Sequence, residues 1–384
     1  MLTPNIKFRE FKIKKNSLKI KKELKKLLRD NNSVIKSLTK NYVNNFKLKK
    51  LSKYKKFLNY RVIGMGGSTL GTQAIYDFLN FKIKKKFTFL DNLNSSKKKI
   101  DKKNYLNLII SKSGNTIETT INSNIFIKKK QTNIFITENN QNHLRKIGEK
   151  LKAEIIDHNN FIGGRYSVLS EVGMLPAELM DLDVKKFKQL NNIIKNKKFL
   201  NNLINNVATQ IHFIKNKKYN SIIINYDEKS ENLLNWYQQL VAESLGKNKI
   251  GLLPIVSNMP KDNHSVMQLY LDGFKNNFFT FFYVKENNTL KVKNNKILKS
   301  QSYLSNKSID QIIFAQKKAT ENVFSKKNIP FRGFEIYKRD EKTLGELFCF
   351  FILETILIGR TLKINPFDQP AVELIKTETK KILS

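Results

Sequence analysis

The chain has 384 residues, 40% of them hydrophobic, a formal net charge of +39 and one cysteine. That length can bury a core shared by two or three domains, and no apolar run approaches the ~20 residues that span a bilayer, so no membrane association is expected. Cys349 cannot make an intrachain disulfide and, inside the apolar run 347–353, reads as a small buried hydrophobe. Such an excess of lysine resembles a nucleic-acid footprint. However, the lysines are spread along the whole chain among Asn, Ile and Phe, all encodable by A/T-rich codons. Runs such as Lys84-Lys85-Lys86 and Lys97-Lys98-Lys99 also lack interleaved aromatics. Genome composition accounts for the charge economically and no nucleic-acid partner is expected, although a positive field raises encounter rates with an anionic metabolite. Residues 1–10 mix charge and apolar side chains without a signal-peptide core, so a cytoplasmic location is expected.

Residues 17–46 read as a charged N-terminal helix. An alternation follows: a short strand over 61–65, a helix over 69–79, strands over 87–90 and 106–110, a helix over 116–128 and a strand over 133–137. This pattern predicts α/β structure with a parallel sheet. Residues 184–217, rich in Asn and Lys, read as a helical connector. A second set then begins, with strands at 221–224, near 251–256 and at 278–284, and a helix through 236–245. Residues 285–307 are polar and broken by Asn pairs, as in a hairpin or a surface insertion. A helix over 310–324, a late strand over 333–337, a buried helix over 343–359 and a last helix over 371–383 complete the chain. Pro370 suits the first turn of that last helix, with Gln369 or Asp368 near its cap. The expected divisions are an N-terminal helical segment (1–50), a first α/β domain (51–183), the connector (184–217), a second α/β domain (218–342) and C-terminal helices that complete the site (343–384).

The densest chemical signal is Ile109-Ile110-Ser111-Lys112-Ser113-Gly114-Asn115-Thr116-Ile117-Glu118-Thr119, where a buried strand gives way to hydroxyls, a lysine and a glycine before a helix starts. Free N–H groups and the helix dipole favour an anion there, and Gly114 permits a positive φ. A second turn between strand and helix, Gly64-Met65-Gly66-Gly67-Ser68-Thr69-Leu70-Gly71, fails the G-x-G-x-x-G spacing and lacks an acid placed for a ribose. Two such turns on adjacent strands of one sheet both open at the carboxyl edge, where α/β proteins bind ligands. No Cys/His/Asp constellation has metal-ligand spacing, so neither a metal nor a cofactor is expected.

These two turns recur with Gly163-Gly164-Arg165-Tyr166-Ser167, Glu243-Ser244-Leu245-Gly246-Lys247, His264-Ser265 with Gln268-Leu269, and Phe367-Asp368-Gln369-Pro370-Ala371-Val372-Glu373-Leu374-Ile375-Lys376. In that order they resemble the motifs of the glucose-6-phosphate isomerase (phosphoglucose isomerase) family, from about Val62 to the C-terminus. The first two are shared by the wider sugar isomerase (SIS) superfamily; the last three together are more specific. The resemblance implies two tandem SIS-type three-layer α/β/α domains with parallel sheets, plus N- and C-terminal helices. The implied activity is interconversion of glucose 6-phosphate and fructose 6-phosphate, in glycolysis and gluconeogenesis, by proton transfer through a cis-enediol.

Glu243 stands at a helix end before Gly246, a natural C-cap, and the resemblance makes it the base that carries the proton between C1 and C2. Arg165 would set a permanent cation against the developing enediolate. His264, in a turn with Asp262, Asn263 and Ser265, resembles the family's ring-opening histidine. That histidine reaches the site from the neighbouring subunit, which implies an obligate homodimer. Lys376 corresponds to the family's C-terminal lysine near O5 of the sugar. Ser68, Ser111, Lys112, Ser113 and Thr116 would hold the phosphate, supplying binding energy remote from the reacting carbons. The chain is short for the family and its 113–115 loop is of generic SIS type, so activity on mannose 6-phosphate also stays open. A non-catalytic SIS-type sugar-phosphate sensor is the alternative, although it would not need Glu243, His264 and Lys376 together.

Overall fold

The structure, a computed structural model, describes residues 1–13, 17–94, 104–287, 289–293 and 296–384. The basic run at 97–99 lies outside the described residues. The first strand, β1 (Ile6–Arg9), belongs to the second of two five-stranded sheets; the next five strands build the first sheet. These are β2 (Asn59–Ile63), β3 (Lys86–Leu90), β4 (Tyr105–Ile110), β5 (Thr132–Glu138) and β6 (Glu154–His158), all parallel in the order β3-β2-β4-β5-β6. Central β4 is buried at every residue, as a strand covered on both faces must be. From β2 the chain winds outward to β3 and then crosses to the other side of β2, so the winding reverses between β2 and β4. Such a reversal opens a crevice at the carboxyl ends of the strands. The turns that follow β2 and β4 lie side by side there: a Cβ on Gly64 would sit 2.8 Å from the Ile110 carbonyl oxygen.

The second sheet comprises β7 (Asn220–Asn225), β8 (Leu253–Asn258), β9 (Asn277–Val284) and β10 (Phe331–Ile336), in the order β1-β10-β9-β7-β8. It repeats the reversal between β7 and β9, and two α/β units in tandem are thus observed. One strand departs from the expected parallel arrangement: β1 runs antiparallel to β10, with Ile6 opposite Ile336.

Other expectations need correcting. The charged stretch 17–46 is not one helix. Leu18–Arg29 is helical because Ile20, Leu24 and Leu27 line one buried face, and it stops at Asp30. Asn32 then caps the short Ser33–Ser37 helix, accepting from the Val34 and Ile35 amides. The helices His143–Lys150 and Glu171–Leu179 and strand β6 were not anticipated. Within 285–307 the described residues hold one bridge, Lys291 to Ser308, and the 3-10 run Lys296–Leu304 rather than a ladder; 288, 294 and 295 lie outside the described residues.

The Glu341–Thr361 helix is buried along most of its length and packs against the Lys197–Lys215 and Glu231–Leu245 helices. A fully buried polar cluster locks this contact. Arg332 of β10 pairs with Glu354, Tyr237 donates to Glu354 Oε2 at 2.7 Å, and Gln210 donates to Glu354 Oε1 at 2.8 Å. The Glu231–Leu245 helix is therefore fixed to the interior about two turns before its C-terminal end.

Candidate active site

Glu243 sits in the last turn of the Glu231–Leu245 helix, its side chain 29% exposed. Gly246 is the C-cap, with a φ of −75° rather than a left-handed one, and a Cβ there would lie 2.7 Å from the Ala242 carbonyl oxygen. Gln239, one turn earlier on the same face, donates from Nε2 to Glu243 Oε1 at 2.8 Å. Arg165 donates from Nη1 to Glu243 Oε2 at 3.2 Å. The guanidinium is 2% exposed and every one of its five N–H groups has an acceptor. Nε donates to Ser244 Oγ at 2.8 Å, and Nη1 donates also to Gln369 Oε1 at 2.6 Å. Nη2 donates to the carbonyls of Pro366 at 2.8 Å and Asp368 at 3.0 Å. One cation thus joins the first α/β unit, the Glu243 helix and the segment leading to the last helix. Lys247 reinforces that junction through Asp368 Oδ1 at 2.6 Å, and its hydrogen bond holds the Asp368 carboxyl below the usual range. A cavity of about 700 Å³ opens between the helix end and this segment, with Glu243, Gly246, Gln369 and Val372 in its wall.

The glycine-rich turns reach this centre by packing on each other. A Cβ on Gly67 would fall 2.2 Å from the Gly164 carbonyl carbon and 2.5 Å from Arg165 N. Gly66, at φ +52°, abuts Gln239. Within the 64–71 turn, Gly66 and Gly67 let the chain lie directly against Gln239 of the Glu243 helix and against the Arg165 turn. In the neighbouring loop, Ser111 Oγ and Thr116 Oγ1 are 2.9 Å apart, and Gly114 adopts φ +67° against Asn142. Thr116 occupies the N-cap of the Ile117–Phe126 helix and no side chain caps that helix, so its first-turn amides face the crevice mouth uncapped. Ser113 is exposed, Ser68 ends the Gly66–Ser68 turn, and the Lys112 ammonium rests 3.2 Å from Glu138 Oε1.

Residues 18–384 match the phosphoglucose isomerase family. The chain is 34% identical over 358 residues to the glucose-6-phosphate isomerase of Methanocaldococcus jannaschii, covering 86% of each chain. It is 35% identical over 356 residues to that of Mesomycoplasma hyopneumoniae, covering 84% of this chain and 82% of the relative. The chain belongs to the phosphoglucose isomerase family. Solved structures agree on the fold. A hypothetical protein of Thermus thermophilus superposes with a TM-score of 0.82 at 22% identity, over 95% of this chain and 94% of that one. A Chlamydia trachomatis glucose-6-phosphate isomerase gives 0.72 at 19%, over 94% and 77%.

Against that family background, two of the residues singled out in the sequence stand apart from the Arg165–Glu243 cluster. His264 ends the exposed Lys261–His264 turn, which Asp262 organises by accepting from the Asn258 amide at 2.8 Å. Its ring has no partner among the described residues. Lys376 lies on the Pro370–Leu383 helix, which buries no residue, and its ammonium is 2.6 Å from Glu373 Oε1. Four residues that contact the Arg165–Glu243 cluster had been given no role in it: Gln239, Ser244, Tyr166 and Gln369. Gln239 carried a usable signal, its i,i+4 spacing to Glu243. The other three stood inside quoted motifs, next to or near a residue given a role.

Proposed function

We propose that this member of the family interconverts glucose 6-phosphate and fructose 6-phosphate with Glu243 as the shuttling base. The Glu243 carboxylate takes the proton from C2 of the open-chain aldose and returns it to C1, leaving the ketose; the order reverses for the other direction. Between the two transfers the cis-enediol oxygens carry extra charge, which the adjacent, permanently protonated Arg165 offsets. The single observation that carries this reading is the Glu243–Arg165 pair, whose carboxylate lines a cavity while the backbone of the buried Arg165 lies against the Gly66-Gly67 turn. A binding-only sensor would have no use for that pair. Ser68, Ser111, Lys112, Ser113 and Thr116 hold the phosphate on the uncapped helix start, and its binding energy orients the reacting carbons.

The enzyme acts as a cytoplasmic homodimer in glycolysis and gluconeogenesis, with His264 of one protomer opening the sugar ring in its partner's site. Lys376 assists at O5. Two features support the dimer: the exposed, unpartnered His264 turn, and the last helix, whose Val372, Leu374, Ile375, Ile382 and Leu383 are exposed. No helix among the described residues is long and apolar enough to cross a membrane. The test is a Glu243→Gln variant, which keeps shape and removes basicity. Its kcat is expected to fall by ~10²–10⁴ while sugar-phosphate binding persists; turnover close to the unmodified rate would remove Glu243 from the role of base.

A further inference from the structure

Tyr166 lies beside Arg165 in the chain and is fully buried, as is Ser244. Burial raises the Tyr166 phenol above its usual range, so it stays protonated and able to donate. Its hydroxyl is 3.0 Å from the Pro366 carbonyl oxygen and 2.8 Å from Ser244 Oγ. A carbonyl can only accept, so the one phenolic proton goes to Pro366. Tyr166 Oη must then accept from Ser244, whose own lone pair takes Arg165 Nε–H. Arg165 Nη2 also donates to the Pro366 oxygen. The result is a closed ring in which two donor arms leave Arg165 and meet at one acceptor: Nε donates to Ser244, Ser244 to Tyr166 and Tyr166 to the Pro366 oxygen, while Nη2 donates to that oxygen directly.

We infer that Ser244 and Tyr166 are positioning residues for the isomerisation, clamping the Nε and Nη2 edge of Arg165 so that Glu243 is met by Nη1 alone. The inference rests on the roles proposed for Glu243 and Arg165. A guanidinium has two other ways to meet a carboxylate, and one of them is bidentate. Freed from Ser244, Arg165 can turn its fork onto Glu243, which removes the carboxylate from the sugar and stabilises its charged form. The clamp touches no substrate atom, so its loss acts on the chemical step rather than on binding. A shift of about 1 Å in such a centre costs roughly a hundredfold in rate.

The experiment compares Ser244→Ala, Ser244→Thr, Tyr166→Phe and the Ser244→Ala/Tyr166→Phe double variant in steady-state assays, with thermal melts alongside. Ser244→Ala is expected to lower kcat roughly hundredfold with KM little changed, the signature of lost transition-state positioning. Ser244→Thr, which keeps the hydroxyl, is expected to restore most of the turnover. Tyr166→Phe is expected to fall in the same direction, and the double variant to be no worse than Ser244→Ala, because both cuts open one ring. Unchanged kcat in Ser244→Ala and Tyr166→Phe overturns the inference. So do losses that track melting temperature alone, with no recovery in Ser244→Thr. Glu243→Gln in the same assay separates the two levels. If it is inactive while Ser244→Ala turns over normally, the clamp alone falls; if Glu243→Gln is active, the base assignment falls and the clamp with it.

Discussion

At the residue scale, the centre depends on very close approach of bare backbone. Gly67 has no room for a methyl group, because a Cβ would lie 2.2 Å from Gly164 C, and that neighbour is main chain that cannot rotate away. Gly67→Ala is therefore expected to push the Arg165 turn out of place, lowering kcat by about a hundredfold through misorientation and lowering the melting temperature as well. Steady-state kinetics with a melt would check it, and an unperturbed kcat would mean that the turn tolerates the shift. Glu243 and Arg165 were legible in the sequence because each stands in a motif with glycines at its side. The five-fold saturation of Arg165 was not, since its acceptors come from positions 243, 244, 366, 368 and 369, which only the fold brings together. The exposed His264 and Lys376 show the opposite case: motif position singled them out, and the folded single chain leaves them without a contact to the centre.

Among the elements, β1 was the most consequential one hidden from sequence reading. Four residues, Ile6–Arg9, alternate weakly and carry two cations, so nothing local marks them as a strand. Their partners lie more than 300 positions away. Lys7 pairs with Glu335 at 2.9 Å and Arg9 with Glu321 at 3.5 Å, while the buried Lys317 bonds to both acids. Burial alone would raise the Glu335 carboxyl, but the hydrogen bonds from Lys317 and Lys7 outweigh it and hold the group at about 2. A carboxyl depressed in the folded state stabilises it above the unfolded value of roughly 4.3, and that contribution is lost as pH falls through the folded value. Melting temperature is therefore expected to drop between about pH 4 and pH 2, and Glu335→Gln should flatten that part of the curve; equal slopes in both proteins would exclude Glu335 as the cause. By contrast, long apolar runs such as Asn277–Val284 and Glu341–Thr361 were legible because burial on both sides leaves an unambiguous composition.

For the whole molecule, the proposed homodimer can be tested by mixing two crippled chains. If His264 acts in its partner's site, a heterodimer of Glu243→Gln and His264→Ala chains has one site with both defects and one with neither. Refolding the two together should restore up to about one quarter of wild-type activity, since half of the dimers are mixed and half of their sites are intact. If the histidine acts within its own chain, every site keeps one defect and the mixture stays inactive. Cross-subunit completion is not visible in one chain's sequence pattern or in one chain's fold, because both describe a protomer. It entered only through the family resemblance.

The pairing of β1 with β10 also bears on how the protein is made. Strand β1 leaves the ribosome more than 300 residues ahead of its partner, which runs from Phe331 to Ile336. At roughly 5–20 residues per second the N-terminal segment waits for tens of seconds before it can be used. During that time all five strands of the first sheet, which lie between Asn59 and His158, have emerged. Until β10 emerges, β9 is left as an open edge of the second sheet, and an open edge is a template for pairing between nascent chains. Lys7 and Arg9 within β1, and Lys12 just beyond it, provide charge repulsion against such pairing over that interval.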